Sequence, residues 1–125
     1  YHSPESSYQY TDGNLLHQDE KSFIDSIISI IDQNIESELL SPDFIADSLH
    51  MNSRSLYRKI KNITTLAPMD FIKDYRFLKA ERLLITTNLT IQEIMYKVGI
   101  SNKSYFYREF SKRNNTTPRE YRKKK

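Results

Sequence analysis

The pentapeptide Leu56-Tyr57-Arg58-Lys59-Ile60 returns fifty residues later as Phe106-Tyr107-Arg108-Glu109-Phe110, in the same order of apolar, Tyr, Arg, charged and apolar. At the same offset Pro68 is matched by Pro118, and Phe71 by Tyr121. Matched positions at one offset mark an internal duplication, so the chain must adopt a fold that holds one small unit twice. A solenoid needs at least about three repeats to bury its faces. With 125 residues, two copies sharing a connecting element fit better.

Hydrophobic spacing gives the units their form. Tyr1 to about Gln18 is polar, without an apolar face, and reads as a linker or tail (residues 1–18) ahead of a folded region (residues 19–125). From Asp19, the residues Phe23, Ile24, Ile27, Ile28, Ile31 and Ile35 follow helical spacing. Ser41-Pro42-Asp43 supplies a cap, a proline at the first helical position and an acid near the positive end of the dipole. A short helix to about Leu49 is expected, then a break at His50-Met51-Asn52, then a second helix from Ser53 to about Asn62 capped by Asn52. Ile45, Leu49, Leu56 and Ile60 can share one apolar seam, with Arg54, Tyr57, Arg58 and Lys61 along another side. This is a helix-turn-helix pattern at about residues 42–62.

Pro68 opens a longer helix to about Thr86, roughly 28 Å at about 1.5 Å per residue, long enough to serve as a strut. Thr90-Ile-Gln-Glu93 is a capping box, Ile91, Ile94, Met95 and Val98 give an apolar side, and Gly99 ends that short helix. Asn102 can cap the next helix, to about Lys112, with Phe106 and Phe110 inward and Lys103, Ser104, Tyr107 and Arg108 outward. The second helix-turn-helix thus covers about residues 90–113. Thr117-Pro118-Arg119-Glu120 reads as another capping box, Tyr121 as a tie to the core, and Arg122 to Lys125 as a solvated basic tail. No segment combines β-branched alternation with hairpin turns, so the expected fold is all-α: two helix-turn-helix units on a connecting helix, about seven helices in total.

Charge separates along the chain. Tyr1 to Asn52 holds one Lys against ten Asp and Glu, a balance of −9, whereas Ser53 to Lys125 holds eighteen Lys and Arg against six acids, +12. A basic block beside an acidic one suits a polyanion binder with one face turned away from its ligand; a solvated basic surface is the bland alternative. The major groove accepts one α-helix, and arginine can bond two guanine acceptors at once. Arg54, Arg58 and Arg108 are therefore the candidate base readers, Lys61 and Lys112 the candidate phosphate partners, and Tyr57 and Tyr107 candidates for a thymine methyl or a phosphate. Each could instead be a solvated or rim residue, but two solvated faces have no reason to share a residue order. A helical protein-interaction module whose basic face meets an acidic partner remains the alternative.

Other chemistries find little support. The chain has no cysteine, and His2, His17 and His50 are far apart, so thiolate chemistry is excluded and no cofactor or metal is expected. Nothing resembles a glycine-rich phosphate loop, and the chain does not read as an enzyme. No apolar run is long enough for a bilayer and no leader is present, so no membrane contact by this segment is expected. The chain opens on Tyr1 rather than Met, which reads as a piece of a longer protein.

The residues now resemble a family. The run Ser53-Arg-Ser-Leu-Tyr-Arg-Lys-Ile-Lys61, with Ala67-Pro-Met-Asp-Phe-Ile72, Tyr75-Arg76, Ala80 and Leu83-Leu84, resembles the first half of the AraC/XylS DNA-binding domain. Ile91-Gln-Glu-Ile94, Val98-Gly99-Ile100, Ser104-Tyr-Phe106, Arg108, Phe110, Thr117-Pro118 and Tyr121-Arg122 follow the second half. The resemblance implies a domain that inserts both recognition helices into promoter DNA and regulates transcription in a bacterium. It implies Arg54, Tyr57 and Arg58 as base-facing in the first unit, and Lys103, Ser104, Tyr107 and Arg108 in the second; Asn102 joins that set at the helix start. Double-stranded promoter DNA is the expected partner, with RNA polymerase a further candidate. The acidic first helix and the Leu-Tyr-Arg-Lys run look like the output domain of hybrid two-component regulators, in which sensor, kinase and receiver domains precede it. That context implies a bacterial cytoplasmic location, with inner-membrane anchoring of the parent a further expectation. Thr65, Asn115 and His50 stand where the family commonly has glycine, and Met95 where it has alanine.

Overall fold

The computed structural model of the chain describes residues 10–11, 14–15 and 18–124. Two short strands, β1 (Tyr10–Thr11) and β2 (Asn14–Leu15), precede seven helices: α1 (Gln18–Gln33), α2 (Pro42–Ser48), α3 (Ser53–Thr64), α4 (Pro68–Thr86), α5 (Ile91–Lys97), α6 (Lys103–Asn114) and α7 (Pro118–Arg122). The all-α expectation holds, with one small addition. Within the segment read as linker, most of which lies outside the described residues, β1 and β2 pair antiparallel with Tyr10 opposite Leu15. The chain divides into two compact units, Tyr1–Asp74 and Tyr75–Lys125, with the boundary inside α4.

In the first unit α1 buries Ile24, Ile27, Ile28 and Ile31 along one face. Ile35, read as the end of that stripe, is buried from the turn beyond the helix. The hydroxyl of Ser41 accepts the Phe44 N–H at 3.1 Å and Pro42 takes the first helical turn, so α2 starts where its caps dictate. The shared seam is Ile45 and Ala46 with Leu56, Ile60 and Ile63, all buried. Leu49, expected in that seam, is only half-buried, because it is the C-cap where the backbone leaves the helix. The turn is closed by the Met51 N–H, which donates to the Ala46 carbonyl at 2.9 Å.

The second unit repeats this logic with an aromatic core. Thr90 and Glu93 form a full capping box: the Thr90 hydroxyl accepts the Glu93 N–H at 3.0 Å, and the Glu93 carboxylate accepts the Thr90 N–H at 2.8 Å. Phe77 stacks on Phe106 at 5.5 Å, Phe106 tilts onto Phe110 at 5.8 Å, and Phe110 meets the Tyr121 ring edge-on at 5.3 Å. Burial, with the Glu81 carboxylate adding to it, pushes the Tyr121 phenol above its ordinary value. Glu81 on α4 accepts from Arg113 Nε and from Asn114 Nδ2 of α6, each at 2.9 Å.

Two expectations at the C-terminal end are corrected. Thr117 accepts the Glu120 N–H at 3.2 Å, but the Glu120 carboxylate takes the Lys123 ammonium at 3.3 Å, so only half of the expected capping box is formed. Arg122 is not part of a solvated tail. Its guanidinium donates to the Leu84 and Thr87 carbonyls, at 3.0 and 3.2 Å, and so caps the C-terminal end of α4.

The two helix-turn-helix units are not related by one offset throughout. Ser41 matches Thr90 as N-cap and the Ala46–Met51 closure matches Met95–Ile100, a shift of 49, while Asn52 matches Asn102, a shift of 50. Ser101 is the extra residue. His50 at φ 57° and Gly99 at φ 76° make the same left-handed turn, and Thr65 at φ 68° and Asn115 at φ 54° end α3 and α6 the same way.

Candidate nucleic-acid interface

The orientation of α3 follows from its two edges. Asn52 Oδ1 accepts the Ser55 N–H at 2.7 Å, fixing the first turn, and the Ser53 hydroxyl donates to Asp43 of α2 at 2.6 Å. With Leu56, Ile60 and Ile63 buried, the opposite face must point to solvent. There Ser53, Arg54, Tyr57, Arg58, Lys61 and Asn62 line one shallow groove along the helix. The expected residues of the first unit, Arg54, Tyr57, Arg58 and Lys61, therefore lie together and exposed. Ser53 and Asn62 were absent from that set; both were legible as the next steps of the same helical spacing. Tyr57 is half exposed, unlike a core aromatic.

The matching helix of the second unit, α6, is held by Phe106 and Phe110, both fully buried. Asn102 Oδ1 accepts the Tyr105 N–H at 2.8 Å, so its side-chain oxygen serves as the cap while the residue stays exposed. Lys103, Ser104, Arg108 and Lys112 are exposed, on the outward side that the sequence gives them. Tyr107 differs from Tyr57. It is half-buried, edge-on to Phe106 at 6.0 Å, with the Lys103 ammonium 5.7 Å from its ring centroid. Glu109, absent from the expected set, has a side chain only 11% exposed, with its carboxylate 3.7 Å from Arg108 Nε and 3.9 Å from Lys112 Nζ. A lone acid on a cationic helix was the signal that could have found it.

The comparable position on α3 is Lys59, whose ammonium lies 4.2 Å from the centroid of the Phe23 ring on α1. Among the described residues no group of His, Asp and Glu could hold a metal ion, and no helix is long and apolar enough to cross a membrane. Chemically, the two faces offer hydrogen-bond donors and positive charge on rigid helices.

A family model described as a helix-turn-helix domain matches residues 45–124, well over half of the chain. The chain belongs to the AraC-type helix-turn-helix family. Among solved structures, this AraC-type chain is similar to a transcriptional regulator with an AraC-type DNA-binding domain from Chromobacterium violaceum, at 29% identity and a TM-score of 0.74. That match covers 85% of this chain and 94% of the other. It is also similar to the C-terminal domain of the two-component response regulator yesN from Fusobacterium nucleatum. Here identity is 27% and the TM-score 0.68, covering 81% of this chain and 98% of that one. A curated relative, histidine kinase P4 of Formosa agariphila, is 29% identical over 102 residues, 82% of this chain; the AraC-type chain spans only 7% of that relative's length.

Proposed function

We propose that the chain is a sequence-specific DNA-binding domain of a transcription regulator, which places α3 and α6 each in its own segment of the major groove. One observation carries this reading: Arg54, Tyr57, Arg58 and Lys61 form a continuous exposed line on a helix whose other face is buried. A helix so anchored presents its polar side chains to a groove about 12 Å wide without having to unfold. Arg54, Arg58 and Arg108 read base edges, Lys61 and Lys112 neutralise phosphates, and Lys103, Ser104, Tyr57 and Tyr107 fill the remaining contacts on the base-facing side. Asn102 keeps its oxygen on the helix cap and offers its amide group to the backbone.

The likeness to a response-regulator C-terminal domain and to part of a histidine kinase supports an output domain in a two-component parent. Such a parent carries receiver and kinase domains upstream, with inner-membrane anchoring of its sensor. RNA polymerase is then recruited or blocked from the bound site, which transcription on that site in vitro distinguishes.

The test is a titration against duplexes selected from a random pool and against scrambled versions, at several salt concentrations. Preference for selected duplexes, lost by about 1–3 kcal/mol for each of Arg58→Lys and Arg108→Lys, is the expected result. Equal affinity for both, with only a salt-driven component, overturns sequence reading.

A further inference from the structure

The geometry points to Glu109 as a positioning residue that holds Arg108 for base reading and so sets how strongly α6 discriminates between duplexes; this rests on the DNA-binding reading above. Glu109 follows Arg108 directly and lies one turn before Lys112, so one carboxylate oxygen approaches both cations, at 3.7 and 3.9 Å. The Arg108 guanidinium carbon also lies 5.7 Å from the centroid of the Tyr105 ring. The guanidinium, though 64% exposed, thus has a carboxylate and an aromatic ring within electrostatic reach on its own helix. A long side chain restrained in this way loses less freedom when it meets a guanine than one that moves freely in solvent.

The carboxylate cannot be replaced by a phosphate in this role. With its side chain 11% exposed, Glu109 has little access to the surface that meets DNA, whereas Arg108 and Lys112 are 64% and 75% exposed. It offsets part of their charge, which weakens attraction to any duplex, yet leaves the guanidinium edge available for a specific one. Affinity from phosphates is sequence-blind, so a partner that lowers it while fixing the reader raises the ratio of specific to non-specific binding. The first unit lacks this device. Lys59 occupies the position and turns to Phe23, and among the described residues Arg58 has no ion pair. We assign anchoring mainly to α3 and discrimination mainly to α6.

The experiment uses the 125-residue chain, a duplex it selects from a random pool, and a scrambled duplex of equal composition. Glu109→Gln is expected to lower the ratio of the two affinities about tenfold, to leave binding of the scrambled duplex equal or tighter, and to steepen the salt dependence by about one phosphate. Glu109→Met, which fills a similar volume with no charge, gives the same result if the carboxylate is what matters. The decisive readout is a double-mutant cycle with Arg108→Lys: Glu109→Gln loses its effect once Arg108 is changed. A ratio kept within about twofold by both Glu109 variants, or strictly additive losses in the cycle, overturns the role. Wild-type chain that shows no preference for its selected duplex overturns the DNA-reading function itself, a separate outcome.

Discussion

Arg122 closes the end of α4 from the last helix of the chain: its Nε donates to the Leu84 carbonyl at 3.0 Å, and a terminal nitrogen donates to the Thr87 carbonyl at 3.2 Å. A cation that satisfies helix C-terminal carbonyls contributes both hydrogen bonding and a favourable charge–dipole interaction. The arrangement makes a five-residue helix, α7, part of the structural frame.

Replacing Arg122 by Ala is therefore expected to destabilise the domain by about 1.5–3 kcal/mol, read as a lower urea midpoint at unchanged slope. Arg122→Lys recovers only part of this, since an ammonium cannot span the two carbonyls as a planar fork does. The salt dependence of DNA binding stays the same in folded variants, because Arg122 is committed to α4.

Thr65 holds a left-handed conformation at φ 68° with a β-branched side chain, which costs about 1–2 kcal/mol relative to glycine. Thr65→Gly is expected to raise stability by about 1 kcal/mol after the added chain entropy of glycine is subtracted. Asn115→Gly at the matching end of α6 gains less, because asparagine tolerates this region. Chemical denaturation of both variants side by side checks the order; a larger gain at Asn115 contradicts it.

The Glu93 carboxylate is held below the ordinary glutamate range, first by the backbone N–H and then by the side chain of Thr90. A depressed folded value means that its contribution is present above the unfolded glutamate value and is lost as pH falls through the folded one. Thermal melts taken from neutral to acidic pH are expected to show a loss in this acid window that is absent from Glu93→Gln. At neutral pH the variant melts lower.

Lys61→Ala and Lys112→Ala are each expected to weaken binding to selected and scrambled duplexes alike, and to reduce the salt slope by about one. Salt-dependent titrations separate this from the sequence-selective loss in Arg58→Lys. A change of sequence preference in Lys61→Ala places that side chain on a base edge instead.

The helices were legible because caps and apolar spacing agree. Ser41, Asn52, Thr90 and Asn102 all cap as their sequence context implies, and the inward residues of α3 and α6 fall at helical intervals. What escaped the sequence depends on contacts distant in the chain or on small conformational choices. Arg122 looks solvated in a run of basic residues, and only the fold brings it to Leu84. Glu120 can close a capping box or pair with Lys123, and local sequence does not rank the two. For the candidate interface, the line from Arg54 to Lys61 could be read from periodicity, whereas the burial of Glu109 beside Arg108 is set by the folded structure and not by local spacing.

Ser101, the additional residue in the second turn, limits how the two units can be recombined. Grafting α6 onto the first unit by the forty-nine-position shift that relates the scaffold helices α2 and α5 misplaces the graft by one step, about 100° of helix rotation, and turns Arg108 away from the intended face. Hybrid regulators built from this chain should therefore be cut at the N-cap asparagines, Asn52 and Asn102, so that each helix travels with its own cap and each turn stays with its own scaffold.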